Sequence, residues 1–155
     1  MNQKTINNSA TISGVGIHTG VHTNLTLLPA KANTGIRFIR SDLEGKPTIP
    51  ANVDYVFSTN RSTNLKNKNS EVYTVEHVLA AIVAEGIDNI IIEVDNMEVP
   101  ILDGSSIQFS ELISEVGIQE LNEIKKFFEI KRRISFTDPK SETTFTAIPA
   151  DNYQI

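Results

Sequence analysis

The chain has 155 residues, with 14 Lys and Arg against 19 Asp and Glu, a formal net charge of −5 with its three His neutral. At 39% hydrophobic and 21% charged residues it holds enough apolar material for a core, one domain or slightly more, and its acidic balance speaks against a nucleic-acid partner. Cysteine is absent, which removes disulfides, thiolate metal sites and cysteine nucleophiles together, and no apolar run reaches the ~18–20 residues of a membrane helix.

Met1 to Ser9 is polar and lacks the apolar stretch of a signal peptide, so the chain reads as cytoplasmic. Alternating Thr, Val, Ile and Leu then predict a hairpin, Thr11 to Ile17 and Val21 to Leu28, turning at His18-Thr19-Gly20 and ended by Pro29. Gly35 to Arg40 reads as a further strand, Asp42 to Pro50 as an exposed connection, and the Asn- and Ser-rich Ser58 to Ser70 as a surface loop. The clearest helix is Thr74 to Glu85, with Thr74 as its cap and Gly86 as its left-handed stop. Val75, Val78, Leu79, Ile82 and Val83 form its apolar stripe, and Ala80, Ala81 and Ala84 opposite predict burial on more than one face.

Ile87 to Val94 follows as a strand covered on both faces. A second helix begins at a capping box, Ser105 with Gln108, carries Phe109, Leu112, Ile113 and Val116 on one stripe, and stops at Gly117. Phe128 to Phe136, a turn at Asp138-Pro139, and Thr143 to Ile148 read as strands again. The basic groups, Lys66 with Lys68 and Lys125 to Arg133, are interrupted by other residue types and read as solvated faces.

The chemistry-bearing pair is Glu76-His77, in the first turn of the first helix. At about 100° per residue, His77 points away from the apolar stripe and Glu76 flanks it. A helix N-terminus favours an ionised glutamate and a neutral imidazole, the states that metal-assisted hydrolysis requires. The competing reading is a half-buried histidine satisfied by a backbone carbonyl beside a solvated glutamate. One histidine does not hold a catalytic zinc, which takes three protein ligands. His18 sits exposed at its glycine turn, His22 reads as an ordinary strand residue, and Asp103-Gly104 reads as a structural turn ahead of the second helix.

In their order and spacing, Ser13-Gly-Val-Gly-Ile-His-Thr-Gly20, Ala32-Asn-Thr-Gly-Ile-Arg-Phe38, Thr74-Val-Glu-His77, Gly86-Ile-Asp-Asn89 and Pro100-Ile-Leu-Asp-Gly-Ser105 resemble the UDP-3-O-acyl-N-acetylglucosamine deacetylases, the zinc hydrolases of lipid A biosynthesis. The resemblance implies an α+β fold of two similar domains, each a sheet packed against helices, with the active site between them. Residues 1–126 are then expected to be the first domain, one sheet on two main helices, and residues 127–155 the opening hairpin of a truncated second. It also implies Glu76 as the general base, His77 as a Zn2+ ligand and His18 as a contact to the nucleotide end of the substrate. The remaining zinc ligands and a catalytic histidine are expected in the second domain, which makes the chain's own C-terminal domain its partner. No His follows His77. The alternative expectation is a folded but catalytically silent domain that needs that partner.

Overall fold

The computed structural model of the chain describes residues 1–152 and residue 154, which divide into two units, Met1–Lys125 and Lys126–Ile155. The first unit is built on the β-branched run Ile90-Ile91-Ile92. It opens strand β9 (Ile90–Val94), which pairs antiparallel with β3 (His22–Pro29) on one edge and parallel with β4 (Ile36–Arg40) on the other. Adding β2 (Ala10–Val15) beyond β3 and β5 (Thr48–Pro50) beyond β4 gives a five-stranded sheet in the order β2-β3-β9-β4-β5. The expected hairpin is β2 and β3, in register from Ala10↔Leu27 to Val15↔His22. Along β9 burial alternates: Ile90, Ile92 and Val94 are buried while Ile91 and Glu93 are half-buried. The expectation of cover on both faces is therefore corrected to one sealed face.

Helices α1 (Glu76–Ala84) and α2 (Ile107–Val116) join the core through Val78, Ala81 and Ile82 of α1 and Phe109 and Ile113 of α2, against Leu25, Leu27, Phe38 and Ile92 of the sheet. The outer face of α1 is open, with Val83 68% exposed and Ala80 and Ala84 exposed as well. An alanine face loses little by facing water, so burial on more than one face does not follow from it. Gly86 (φ 72°) ends α1 with positive φ as expected, and Gly117 stops α2 as expected, at φ 75° and ψ 164°.

Both N-terminal caps differ from expectation. α1 starts after Val75 with no side-chain cap, because the Thr74 hydroxyl is engaged elsewhere. α2 starts after Ser106, where Asp103 Oδ1 accepts from the N–H and hydroxyl of Ser105, and Ser105 Oγ in turn accepts from Ile107 N–H. The lead-in role of Asp103 stands. The capping box does not form.

Several strands lie where local pattern predicts none. β1 (Asn2–Ile6) pairs with β10 (Ile118–Ile124), joining the two ends of the unit. The polar N-terminal segment is held by Gln3, which is buried and bonds Asn33, Asn89 and the carbonyl of Ile124. The segment expected as a surface loop enters a three-stranded sheet of β6 (Val56–Ser58), β7 (Asn64–Asn67) and β8 (Ser70–Val72). Ser62 and Asn64 are buried there, the Ser62 hydroxyl donating to Asn64 Oδ1, which also accepts from Thr74 N–H. Part of the expected connection Asp42 to Pro50 is β5. The α+β class stands, with several sheets rather than one. The basic residues are dispersed into local pairs, Lys66 with Glu71 and Lys125 with Asp88.

The second unit holds one antiparallel hairpin, β11 (Ile134–Thr137) with β12 (Thr144–Ala147), in register from Ile134↔Ala147 to Thr137↔Thr144. Its turn is tied by Asp138, whose carboxylate accepts from Ser141. Its first strand begins later than expected, and no described residue of the unit is buried. Among the described residues no helix is long and apolar enough to cross a membrane.

Ile92, fully buried on the central strand, is expected to lose about 2–5 kcal/mol of stability as Ile92→Ala. Val83→Ala on the open face of α1 is expected to stay within about 0.5 kcal/mol of the parent. Urea denaturation reads both, and equal losses would contradict the packing described.

Candidate functional site

The turn that joins β2 to β3 closes through Gly16 N–H to the Val21 carbonyl and Gly20 N–H to the Gly16 carbonyl, with Gly20 at φ 67°. His18 stands exposed at its tip. The underside of the turn is occupied by a residue that the sequence analysis did not single out. Glu98 is 1% exposed, and its carboxylate gathers donors from two parts of the chain. His18 N–H donates to Oε1 at 3.0 Å and to Oε2 at 3.3 Å, while Thr19 gives its N–H (2.8 Å) and hydroxyl (2.7 Å) to Oε2. From the other side the Thr74 hydroxyl donates to Oε1 at 2.9 Å.

The glycines ahead of His18 answer to this close approach. A Cβ at Gly16 would collide with the Glu98 carboxylate and with Thr19 Oγ1, and one at Gly14 would press on Pro100 and Leu102 at 3.1 Å. Glu98 itself is positioned by a short parallel bridge to Tyr73, in which Tyr73 N–H donates to the Met97 carbonyl and Val99 N–H to that of Tyr73.

Thr74 leads directly into α1. It takes φ 60°, an unusual conformation for a β-branched residue, with its N–H donated to Asn64 Oδ1 at 3.1 Å. Val75 N–H donates to the Thr63 carbonyl, and Thr63 N–H donates to Glu76 Oε2 at 3.0 Å. Glu76 is half-buried, and among the described residues its Oε1 accepts no hydrogen bond. His77, also half-buried, makes no side-chain hydrogen bond among the described residues, so the carbonyl-satisfied histidine weighed from sequence is not found. Glu76 and His77 occupy the first turn of α1. His22 is an exposed residue at the start of β3, paired with Val15.

The geometry thus brings the His18 turn and the approach to Glu76-His77 onto one buried carboxylate. Comparison with known proteins gives this arrangement a family. The profile of the family described as UDP-3-O-acyl N-acetylglycosamine deacetylase matches residues 3–155. The chain belongs to that family. It is 45% identical over 154 residues to a UDP-3-O-acyl-N-acetylglucosamine deacetylase of Idiomarina loihiensis, covering 99% of this chain and 50% of the relative. It is 46% identical over 143 residues to one of Teredinibacter turnerae, covering 92% and 47%. Against the bifunctional enzyme LpxC/FabZ of Bacteroides thetaiotaomicron it is 41% identical over 155 residues, covering 100% and 34%. The chain spans half or less of the length of these family members.

The signal for Glu98 was present in Met97-Glu98-Val99-Pro100, a lone acidic residue between apolar neighbours just ahead of the Ile-Leu-Asp-Gly segment. Burial pushes its pKa up, but the bonds from the Thr19 hydroxyl, the His18 and Thr19 N–H groups and the Thr74 hydroxyl outweigh burial and hold it below the usual 4.5. A group whose folded pKa is depressed stabilises above its unfolded value, and that stabilisation is lost as pH falls through the folded pKa. Glu98→Gln is therefore expected to cost about 1.5–3 kcal/mol at neutral pH. The gap to the parent should narrow as pH drops below 4.5. Urea denaturation across that range checks it; a gap that does not change with pH would mean that the charge is not what holds the turn.

Proposed function

We propose that this chain carries the N-terminal half of the active site of a zinc-dependent deacetylase that removes the N-acetyl group of UDP-3-O-acyl-N-acetylglucosamine, in the cytoplasmic synthesis of lipid A. The observation that supports it most is the placement of Glu76: one carboxylate oxygen is anchored on Thr63 N–H and the other accepts no hydrogen bond among the described residues, beside His77 at a helix start, in a member of this family.

The residues present fit zinc in part. Among the described residues no group of three His, Cys, Asp or Glu side chains is placed to hold a metal, and a catalytic zinc takes three protein ligands. His77 supplies one, and the proposal requires the others from a second domain whose opening hairpin is β11-β12. A zinc held there would supply Lewis-acid polarisation of an amide carbonyl and of a water. Glu76 Oε1 would take the proton of the attacking water as its oxygen adds to the acetamide carbonyl, and a proton would pass on to the departing nitrogen. The C–N bond breaks to give acetate and the free amine. The Thr63 N–H on Oε2 keeps the carboxylate aimed while the proton moves. His18, exposed at its turn, contacts the nucleotide end.

The reading is tested by acetate release from UDP-3-O-acyl-N-acetylglucosamine with zinc, using this chain alone and with the remainder of a family member supplied in trans. Activity is expected only with both. Glu76→Gln is expected to lower it by about 10²–10⁴-fold, as for loss of a general base, and His77→Ala to abolish stoichiometric zinc retention by the reconstituted pair. Undiminished activity in both variants would overturn the assignment. The isolated chain is expected to bind zinc weakly, and tight one-to-one binding in a calorimeter would contradict a site completed from outside.

A further inference from the structure

We propose that Glu98 is a positioning residue that couples the His18 turn to the start of α1, so that a ligand group held at the turn and the Glu76-His77 pair keep a fixed register. The proposal rests on the functional reading above for the roles of His18, Glu76 and His77. Its physical content is a shared acceptor. Glu98 Oε1 receives both the His18 N–H and the Thr74 hydroxyl, and Oε2 receives both donors of Thr19. The carboxylate is 1% exposed, so water does not replace a lost partner.

The connection runs on from Thr74 without a flexible step. Thr74 N–H is held by Asn64, whose Oδ1 also accepts the Ser62 hydroxyl. Between Asn64 and Ser62, Thr63 takes Val75 N–H on its carbonyl and gives its own N–H to Glu76. The path from the turn to the proton-accepting carboxylate therefore runs through the buried Glu98 side chain, Thr74, Asn64 and the backbone of Thr63. Displacing the turn drags the shared carboxylate, and the carboxylate drags Thr74.

Two variants interrupt the path from opposite ends. Thr74→Val removes the helix-side hydroxyl at nearly constant shape, and Thr74→Ser retains it. Thr19→Val removes the turn-side hydroxyl, and it carries the test if Thr74→Val does not fold. Amide hydrogen exchange followed by NMR reads the far side of each change. Thr74→Val is expected to speed exchange at His18 and Thr19 by about tenfold, the size of one hydrogen bond to a charged group, with Thr74→Ser within about twofold of the parent. Thr19→Val is expected to do the same at Thr63 and Thr74. Unchanged exchange on the far side, or equal effects of Val and Ser at position 74, overturns the coupling.

A titration with UDP then separates this proposal from the reading beneath it. In the parent chain UDP is expected to shift the amides of His18 and Thr19 and, through Glu98, those of Thr74 to His77. In Thr74→Val only the first set should move. Shifts at His18 and Thr19 that never reach Thr74 to His77 in the parent overturn the positioning role. No shift anywhere, together with the far-side exchange effect, keeps the coupling and removes the nucleotide role of His18.

Discussion

An ionised carboxylate sealed from water is tolerated only where donors replace its hydration, and at Glu98 that requirement organises the surrounding chain. The turn between β2 and β3 supplies three donor groups, and Thr74 supplies a fourth. To deliver them, the backbone at Gly16 must lie where any side chain would strike the carboxylate, and Gly14 must pass against Pro100 and Leu102. Gly16 is thus small because of a charge far away in sequence, and Gly14 because of the apolar side chains that follow that charge.

The same requirement explains how α1 begins. A Thr at φ 60° costs roughly 1–3 kcal/mol of backbone strain, and α1 has no side-chain cap to offset it. Thr74 holds that conformation because its N–H and hydroxyl are both satisfied by fixed acceptors, Asn64 and Glu98. A hydroxyl that folded back to cap the helix would leave Glu98 short of a donor inside the protein. Tertiary demand outweighs local capping here, and the result places Glu76 against the backbone of Thr63.

Local pattern made legible what local forces decide. The β2-β3 hairpin, the inner stripe of α1 and the glycine stops at Gly86 and Gly117 each follow from residues within one turn or one ladder of each other. Pairing between distant segments left no such trace. β1 and β10 meet as Asn2 with Ile124, and both are rich in polar residues. Ser62 and Asn64 read as loop for the same reason, although each is buried by hydrogen bonds rather than by apolarity. At the candidate site, His18, Glu76 and His77 were visible as residue types in motifs. Glu98 was not, because its meaning lies in donors contributed from positions 18, 19 and 74, a constellation that only the fold assembles.

The segments that carry the family resemblance sort by which network they enter. The Ser13–Gly20 and Thr74–His77 segments bond Glu98, and the Pro100–Ser105 segment packs against Gly14 and donates Ile101 N–H to the Val15 carbonyl. The Ala32–Phe38 and Gly86–Asn89 segments meet elsewhere, where buried Asn89 accepts from Gly35 N–H and donates to Gln3, which accepts from Asn33 N–H. That second network shares no hydrogen bond with Glu98. It pins β1, the turn before β4 and the start of β9, so its work is to hold the sheet. Motif residues in this fold therefore divide between those joined to a scaffold of neutral amides, which tie strands in register, and those that gather around Glu98, the one buried carboxylate among the described residues, which ties loops. Of the two networks, the one around Glu98 reaches both the His18 turn and Thr74 ahead of α1, so Glu98 rather than the more extended amide network lies between the parts of the candidate site.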